Sequence, residues 1–479
     1  LPGSVAVPKG RWSGPGIVHL GIGAFHRAHQ AVMLQVAMDA GETGWGIIAA
    51  SLRSPDTRDA LRPQDGLYTV AVKSPEGERL QVIGAVGDVL VAREDPGALI
   101  ACMSDPRIRI VSMTVSEKGY CHNPATGALN EAHPDIIHDL ANPDRPRSAP
   151  GFLVAALARR RAAGVAPFTV LCCDNLPSNG RTVRRVVVRY AELVDPALGR
   201  FVAGEVAFPS TMVDRIVPAT TDADRDRIAA ALGVRDAWPV VTEPFTQWVI
   251  EENFPTGRPR WELGGAQFVR DVEPFELMKL RMLNGAHSTL AYLGAVAGHE
   301  TVADASNDPA FAAMLRGLWQ EIIPSLAEPE GQQPSAYAEA LLARFQNTAI
   351  RHRLLQIAMD GSQKLPQRLL GTVADNLATG RPIRFLALGV AAWMRFVMGA
   401  SEAGGRHEIN DPLAGRITAV TTAAGRDARA LAEGLLAIEA IFAPALVANS
   451  EFRAAVTGQL ASLIENGVVP TIAAQSKLL

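Results

Sequence analysis

Lys279, Asn284 and His287 are three polar residues in an otherwise largely apolar stretch, FELMKLRMLNGAHSTLAYLG at 275–294. At about 100° per residue of an α-helix, Asn284 and His287 lie roughly 140° and 80° from Lys279, so one side of one helix can present all three. A lysine withdrawn from water near positive charge has its pKa lowered toward neutrality, and such an amine can accept the proton of an alcohol as hydride leaves. Asn284 offers an amide donor to the developing alkoxide, and an imidazole at His287 can orient the hydroxyl being oxidised. The trio suits interconversion of a secondary alcohol and a ketone. The same residues also fit a plainer description: a surface lysine, a helix-breaking Asn-Gly and a core histidine with its hydrogen bonds satisfied.

A second group lies near the start. Gly21-Ile-Gly23 follows the apolar run IVHL at 17–20 and opens a helix-compatible stretch to about residue 40, where a pyrophosphate can approach bare backbone and a helix N-terminus. Ala24 and Phe25 continue the expected coenzyme-contacting turn. His26 stands where a G-x-G-x-x-G fingerprint has its third glycine, so an ordinary glycine-rich turn stays open as a reading. An acid after the next strand would hold the adenine ribose, and Asp56 in SLRSPD is the nearest. Arg53 beside it can instead meet a 2′-phosphate, so NAD is preferred over NADP with the second coenzyme left open. His26 and His29 share a helix face but have no convergent third ligand nearby, which favours phosphate contact or packing over metal binding.

These residues need a scaffold, and the chain alternates strand-like and helical segments in its first part. Apolar runs at 17–20, 45–52, 67–72, 81–86, 108–115 and 168–173 read as strands, several separated by helical stretches, which argues for a mostly parallel sheet. From about residue 274 the pattern becomes long Ala- and Leu-rich helical segments, at 276–297, 335–346, 384–399 and 428–443. The expected organisation is therefore α/β: a Rossmann-type domain over 1–272 and a largely α-helical substrate and catalytic domain over 273–479.

Composition narrows the partners. With 46 basic and 49 acidic residues well mixed along the chain, no electrostatic footprint for nucleic acid or anionic membrane exists, so a small-molecule partner is favoured. Four cysteines without a C-x-x-C indicate neither a disulfide framework nor a zinc cage and fit a reducing cytoplasm. The start lacks a signal-peptide pattern, and no apolar run is long enough to span a membrane.

Beyond these local readings, the sequence resembles the mannitol dehydrogenase family of long-chain polyol-specific dehydrogenases and reductases over nearly its whole length. The stretches that carry the resemblance are HLGIGAFHRAHQA (19–31), QDGLYTV (64–70), TVSEKGY (114–120), CDNLPSNG (173–180) and FPSTMVDRIVPATT (208–221). To these are added the K-x4-N-x2-H of 279–287, DGSQKLPQRLL (360–370) and ALGVAAWMRF (387–396). The resemblance implies a metal-independent enzyme that holds NAD in its first domain. It further implies Lys279 as general acid-base, Asn284 and Asn175 as the pair polarising the reacting oxygen, and Asp214, His287 and Lys364 at the substrate. Glu276 matches a carboxylate implicated in proton exit. Members of this size are often monomers, so a monomer or small homo-oligomer is expected.

One departure bears on substrate. Mannitol-oxidising members carry an arginine before the IAMDGS motif where this chain has Gln356, which removes a forked donor and a charge. IRHRLLQIAMDGSQKLPQRLL, FELMKLRMLNGAHS and WVIEENF at 248–254 are most similar to the fructuronate reductase branch, which interconverts D-fructuronate and D-mannonate. Arg353, Lys364 and Arg368 are the cations expected to meet a substrate carboxylate. The alternatives are a dehydrogenase of neutral polyols such as D-mannitol or D-arabinitol and, more remotely, a catalytically silent sugar-binding protein on the same fold.

Overall fold

In the computed structural model, which describes residues 1–10, 12–123 and 126–477, the chain forms two units, Leu1–Glu273 and Pro274–Leu479. The strands of the first unit are β1 (Pro15–Leu20), β2 (Gly46–Ser51), β3 (Tyr68–Ser74), β4 (Gly77–Ile83), β5 (Val86–Val91), β6 (Ile110–Met113) and β7 (Thr169–Cys172). They continue as β8 (Thr211–Asp214), β9 (Val240–Thr242), β10 (Gln247–Glu251) and β11 (Gln267–Val269).

The principal sheet has the order β5-β2-β1-β6-β7 and every pairing in it is parallel. Successive residues of its strands feed opposite cores: Ile17, Ile110 and Leu171 enter one cluster, while Val18, Val111 and Val170 enter the other. That is why these strands read as continuous apolar runs, since a parallel sheet is covered on both faces. The strand order reverses between β1 and β6. Open α/β sheets bind ligands in the crevice outside the carboxyl ends at such a switch point.

Two expected strands are placed differently. The 67–72 run forms β3, outside the principal sheet, antiparallel to β4 and parallel to β9. The 81–86 run straddles two strands, because β4 ends at Ile83 and β5 begins at Val86 with Gly84 in the corner between them. β8, β10 and β11 make a third small sheet. The helix after the glycine turn is also interrupted, with Ala24–Ala28 and Gln30–Asp39 separated at His29 (φ −124°, ψ −86°). His29 is held there: its Nε2 lies 2.9 Å from the Gln247 carbonyl, and its ring stacks on Phe25.

The second unit has helices and no named strand among the described residues. Its central helix runs from Glu273–Met278 through Lys279–Asn284 to Gly285–Ala297 and packs against Arg384–Phe396, nearly all of which is buried. The segment expected to be helical over 428–443 stops at Leu436, and Ala443 is extended (ψ 136°) because Pro444 disfavours helical geometry in the residue before it. Among the described residues no helix is long and apolar enough to cross a membrane.

Candidate active site

A cavity of about 1220 Å³ opens over the carboxyl ends of β1, β2, β5 and β6 in the first unit. The glycine turn is its floor. Gly21 has φ +93°, and a Cβ there would sit 2.1 Å from the Thr114 carbonyl oxygen, so glycine is required twice over. A Cβ on Gly23 would meet nothing nearer than 3.9 Å, which leaves bare backbone facing open space. The Thr114 hydroxyl donates to the Gly21 carbonyl at 2.7 Å, and His19 bridges Ser112 and Thr114 at 2.8 Å each.

Beneath the turn the His19 and His26 rings stack at 3.3 Å. Burial lowers His19 to about 3 and drives His26 well below the usual histidine range, so both are neutral packing groups at neutral pH. Outside the wall Asp174 accepts from the Tyr120 hydroxyl at 2.6 Å and from the backbone N–H groups of Val115 and Ser116, fixing the chain after β6 where it lines the cavity. The cavity wall carries Arg53, Arg93, Lys118, Arg145 and Arg147 against one acid, Asp135. Size, bare backbone and excess positive charge fit a dinucleotide and its pyrophosphate.

Ala24 and Phe25 do not border this cavity but pack into the core beside it. Asp56 is likewise absent from the wall: it opens the helix Asp56–Leu61 at the surface, and Ser51, Leu52 and Arg53 occupy the end of β2 instead. The five-residue helix at Ala24–Ala28 is too short to supply the helix dipole expected there. Cys121, His133 and Asp135 have ligand atoms within 4.8 Å of one another at the cavity edge. His133 Nδ1, however, accepts the Asp135 backbone N–H, and burial pushes the Cys121 thiol up to about 12.

In the second unit, Lys279–Asn284 is a single π-helical stretch between two α-helical ones, and the Gly285 N–H bonds back five residues to the Leu280 carbonyl. This changes the geometry derived from a regular α-helix. An i+4 residue sits about 40° round from its bonded partner in an α-helix, and i+5 bonding brings Asn284 to a comparable offset from Lys279 instead of about 140°. The Trp319 indole donates to the Met282 carbonyl at 2.9 Å, satisfying an acceptor within the turn.

A second π-turn, Pro366–Leu370, packs against the first. Pro366 lacks an N–H and cannot continue α-helical bonding, and the Gly371 N–H closes on the Pro366 carbonyl five residues back. The two turns approach closely at Gly285, where a Cβ would lie 2.8 Å from the Arg368 carbonyl oxygen. Arg368 then reaches the first helix with its guanidinium, donating to the Ser288 hydroxyl at 3.0 Å and toward the Asn284 carbonyl at 3.4 Å.

Lys279 is 8% and His287 6% exposed, so the surface-lysine description fails. His287 stacks on Phe345 at 4.5 Å and meets His352 edge-on at 5.4 Å. Burial, reinforced by His352, Arg344 and Arg368, lowers its pKa well below the usual range, which makes it a neutral imidazole. Its Nε2 has no hydrogen-bond partner among the described residues, unlike a satisfied core histidine.

The remaining expected residues are spread over both units. Asn175 is exposed on the loop after β7, and Asp214 is the buried last residue of β8. Glu276 is half-buried one turn before Lys279. Lys364 donates to the Ile357 carbonyl at 3.1 Å. Gln356 and Arg353 are exposed, and Arg353 faces Glu300 at 3.9 Å. Two residues at these sites carry no sequence signal of their own: His352, edge-on to His287 within a basic run, and Arg93, which follows a strand that the apolar run at 81–86 misplaces.

A dinucleotide-sized cavity on a parallel sheet, with a helical unit presenting an amine, an amide and a neutral imidazole, defines a nucleotide-dependent oxidoreductase. The mannitol dehydrogenase Rossmann domain model matches residues 15–263 and the mannitol dehydrogenase C-terminal domain model matches 271–464. D-mannonate oxidoreductase of Escherichia coli (strain K12) is 46% identical over 96% of this chain and 95% of its own length. Mannitol 2-dehydrogenase of Aspergillus terreus is 39% identical, covering 95% and 92%. The structure of Pseudomonas fluorescens mannitol 2-dehydrogenase in ternary complex with NAD and D-mannitol matches with a TM-score of 0.86 and 40% identity, covering 100% of this chain and 98% of that one. The chain belongs to the mannitol dehydrogenase family and is an NAD-dependent oxidoreductase acting on CH–OH groups.

Proposed function

We propose that the enzyme interconverts D-mannonate and D-fructuronate. The observation that carries this reading is Arg368. Its forked cation lies against the helix bearing Lys279, Asn284 and His287, whereas Arg353 is turned to Glu300 at the surface and Lys364 to a backbone carbonyl. A guanidinium beside Lys279, Asn284 and His287 suits a carboxylate, a charge that Gln356 does not supply. The 46% identity to D-mannonate oxidoreductase, against 39–40% for the mannitol 2-dehydrogenases, points the same way.

In this mechanism Lys279, neutral in the oxidising direction, takes the hydroxyl proton, and Glu276 one turn earlier passes it toward solvent. Asn284 and Asn175 donate to the oxygen as it becomes an alkoxide and then a carbonyl. His287 holds the hydroxyl through its Nε2 without changing charge, since its pKa is far below neutrality. Asp214 and Lys364 orient further hydroxyls. NAD supplies the hydride acceptor. No metal is needed, because the amide pair and the lysine share the polarisation.

Initial rates of NAD reduction with D-mannonate and with D-mannitol test the proposal. A tenfold or greater preference for D-mannonate supports it. Preference for D-mannitol would overturn the substrate while leaving the family and the lysine standing.

A further inference from the structure

The coenzyme cavity is unusually arginine-rich at the end where the adenine ribose lies in a Rossmann fold. β2 and β5 are neighbours, with Ser51 paired to Val91 at their carboxyl ends, and each chain continues two residues further to an arginine: Arg53 and Arg93. The Ala92 N–H bonds to the Ser51 carbonyl at 2.9 Å, so the two segments leave the sheet together. Both arginines line the cavity, both are exposed, and neither makes an ion pair among the described residues.

The acids nearby are occupied elsewhere. Arg58 binds Asp59 at 2.8 Å and also pairs with Glu94, and Arg62 binds Asp88 at 3.2 Å. Asp56 stands outside the wall, and the acid within it, Asp135, belongs to a different element, the helix Pro134–Ala141. A Rossmann site selective for NAD holds the ribose hydroxyls with a carboxylate after its second strand, and one that takes NADP offers arginine. Here the carboxylate is missing from the wall and a matched pair of forked cations is present.

We propose that this cavity also accepts NADP, with Arg53 and Arg93 holding the 2′-phosphate between them, so that the enzyme is dual in coenzyme. The reading is independent of which sugar derivative is oxidised. It adds about two negative charges opposite two guanidinium groups, a geometry that binds phosphate oxygens in pairs.

Calorimetric titration with the adenosine halves of the two coenzymes, 2′,5′-ADP and 5′-AMP, tests the assignment without any sugar substrate. At low salt 2′,5′-ADP should bind at least tenfold more tightly, and the advantage should shrink as salt is raised. In Arg53→Ala/Arg93→Ala the ratio of the two affinities should fall at least tenfold, with folding checked by thermal melting. Equal affinity of the wild-type protein for the two probes would overturn the proposal. So would a double variant that weakens both probes by the same factor, since the arginines would then serve the adenine or 5′-phosphate.

Discussion

Gly285 and Gly371 form a matched pair of sites whose alanine variants should move in opposite directions. Both begin an α-helical segment directly after a π-turn, with φ of −64° and −60°, so alanine suits the backbone at each. Replacing a helical glycine by alanine gains roughly 0.8–1 kcal/mol in propensity. At Gly371 the new methyl meets nothing nearer than the Pro366 carbonyl oxygen at 3.8 Å, so that gain is kept. At Gly285 it would lie 2.8 Å from the Arg368 carbonyl oxygen, and reaching ordinary contact at 3.4 Å requires the two π-turns to part by about 0.6 Å. Backbone moves against backbone there, so the overpacking cost of about 1–3 kcal/mol falls in its upper half and exceeds the propensity gain. Thermal melting followed by circular dichroism should show Gly285→Ala lowered by roughly 2–8 °C and Gly371→Ala raised by roughly 2–4 °C. The displacement also shifts Arg368 relative to Asn284 and Ser288, and turnover should fall about tenfold in Gly285→Ala, given that a 1 Å error costs about a hundredfold. If Gly285→Ala is as stable and as active as Gly371→Ala, the close approach of the two turns has no energetic meaning and the reasoning fails.

Lys279→Ala should remove most turnover at neutral pH while NADH binding, followed by fluorescence, stays nearly intact; equal loss of both would take the lysine out of the acid-base role. Arg368→Met should lower kcat/KM for D-mannonate at least tenfold more than for any neutral polyol the enzyme turns over, and a uniform loss would deny it the carboxylate. Stability should fall with acid. His19 and His26 have folded-state pKa values depressed by burial from 6.5, to about 3 for His19, so below pH 6.5 the unfolded chain binds protons that the folded one does not. Urea unfolding between pH 7 and 5 should show stability dropping, with His19 contributing a slope approaching about 1.4 kcal/mol per pH unit, and a flat or rising profile would contradict the buried neutral state. Treatment with a strong chelator should leave the rate unchanged, and loss restored by zinc would turn attention to Cys121, His133 and Asp135.

The sheet was legible because a strand buried on both faces must be apolar throughout, and β1, β2, β6 and β7 announce themselves that way. Which sheet a strand joins was not, because pairing is set by partners far along the chain: β3 is recruited by β9, some 170 residues on. The grouping of Lys279, Asn284 and His287 on one helix was readable from spacing. Its true phase was not, since the periodicity rule assumes 3.6 residues per turn, and nothing local to KLRMLN shows that Trp319 and a second π-turn hold it wider. Asp56 is the acid nearest β2 in sequence, but the chain turns away into a helix before it can face the cavity. The break at His29 escaped for a similar reason, its cause being a carbonyl at residue 247.

The two π-turns have an evolutionary corollary. A π-turn is equivalent to one residue inserted into an α-helix without disturbing the helix on either side, so it sets a phase as well as a position. Deleting any one of residues 280–283 would let ordinary α-helical bonding resume with Asn284 and His287 still in phase with Lys279, whereas relaxing the π-turn at full length would swing them roughly 100° away. Helix content, burial and length would hardly change. In descendants of this gene a single-codon deletion there, disruptive in most amphipathic helices, would therefore leave the chemistry in register, whereas substitutions that release the π-turn at full length would take it out of register at one stroke.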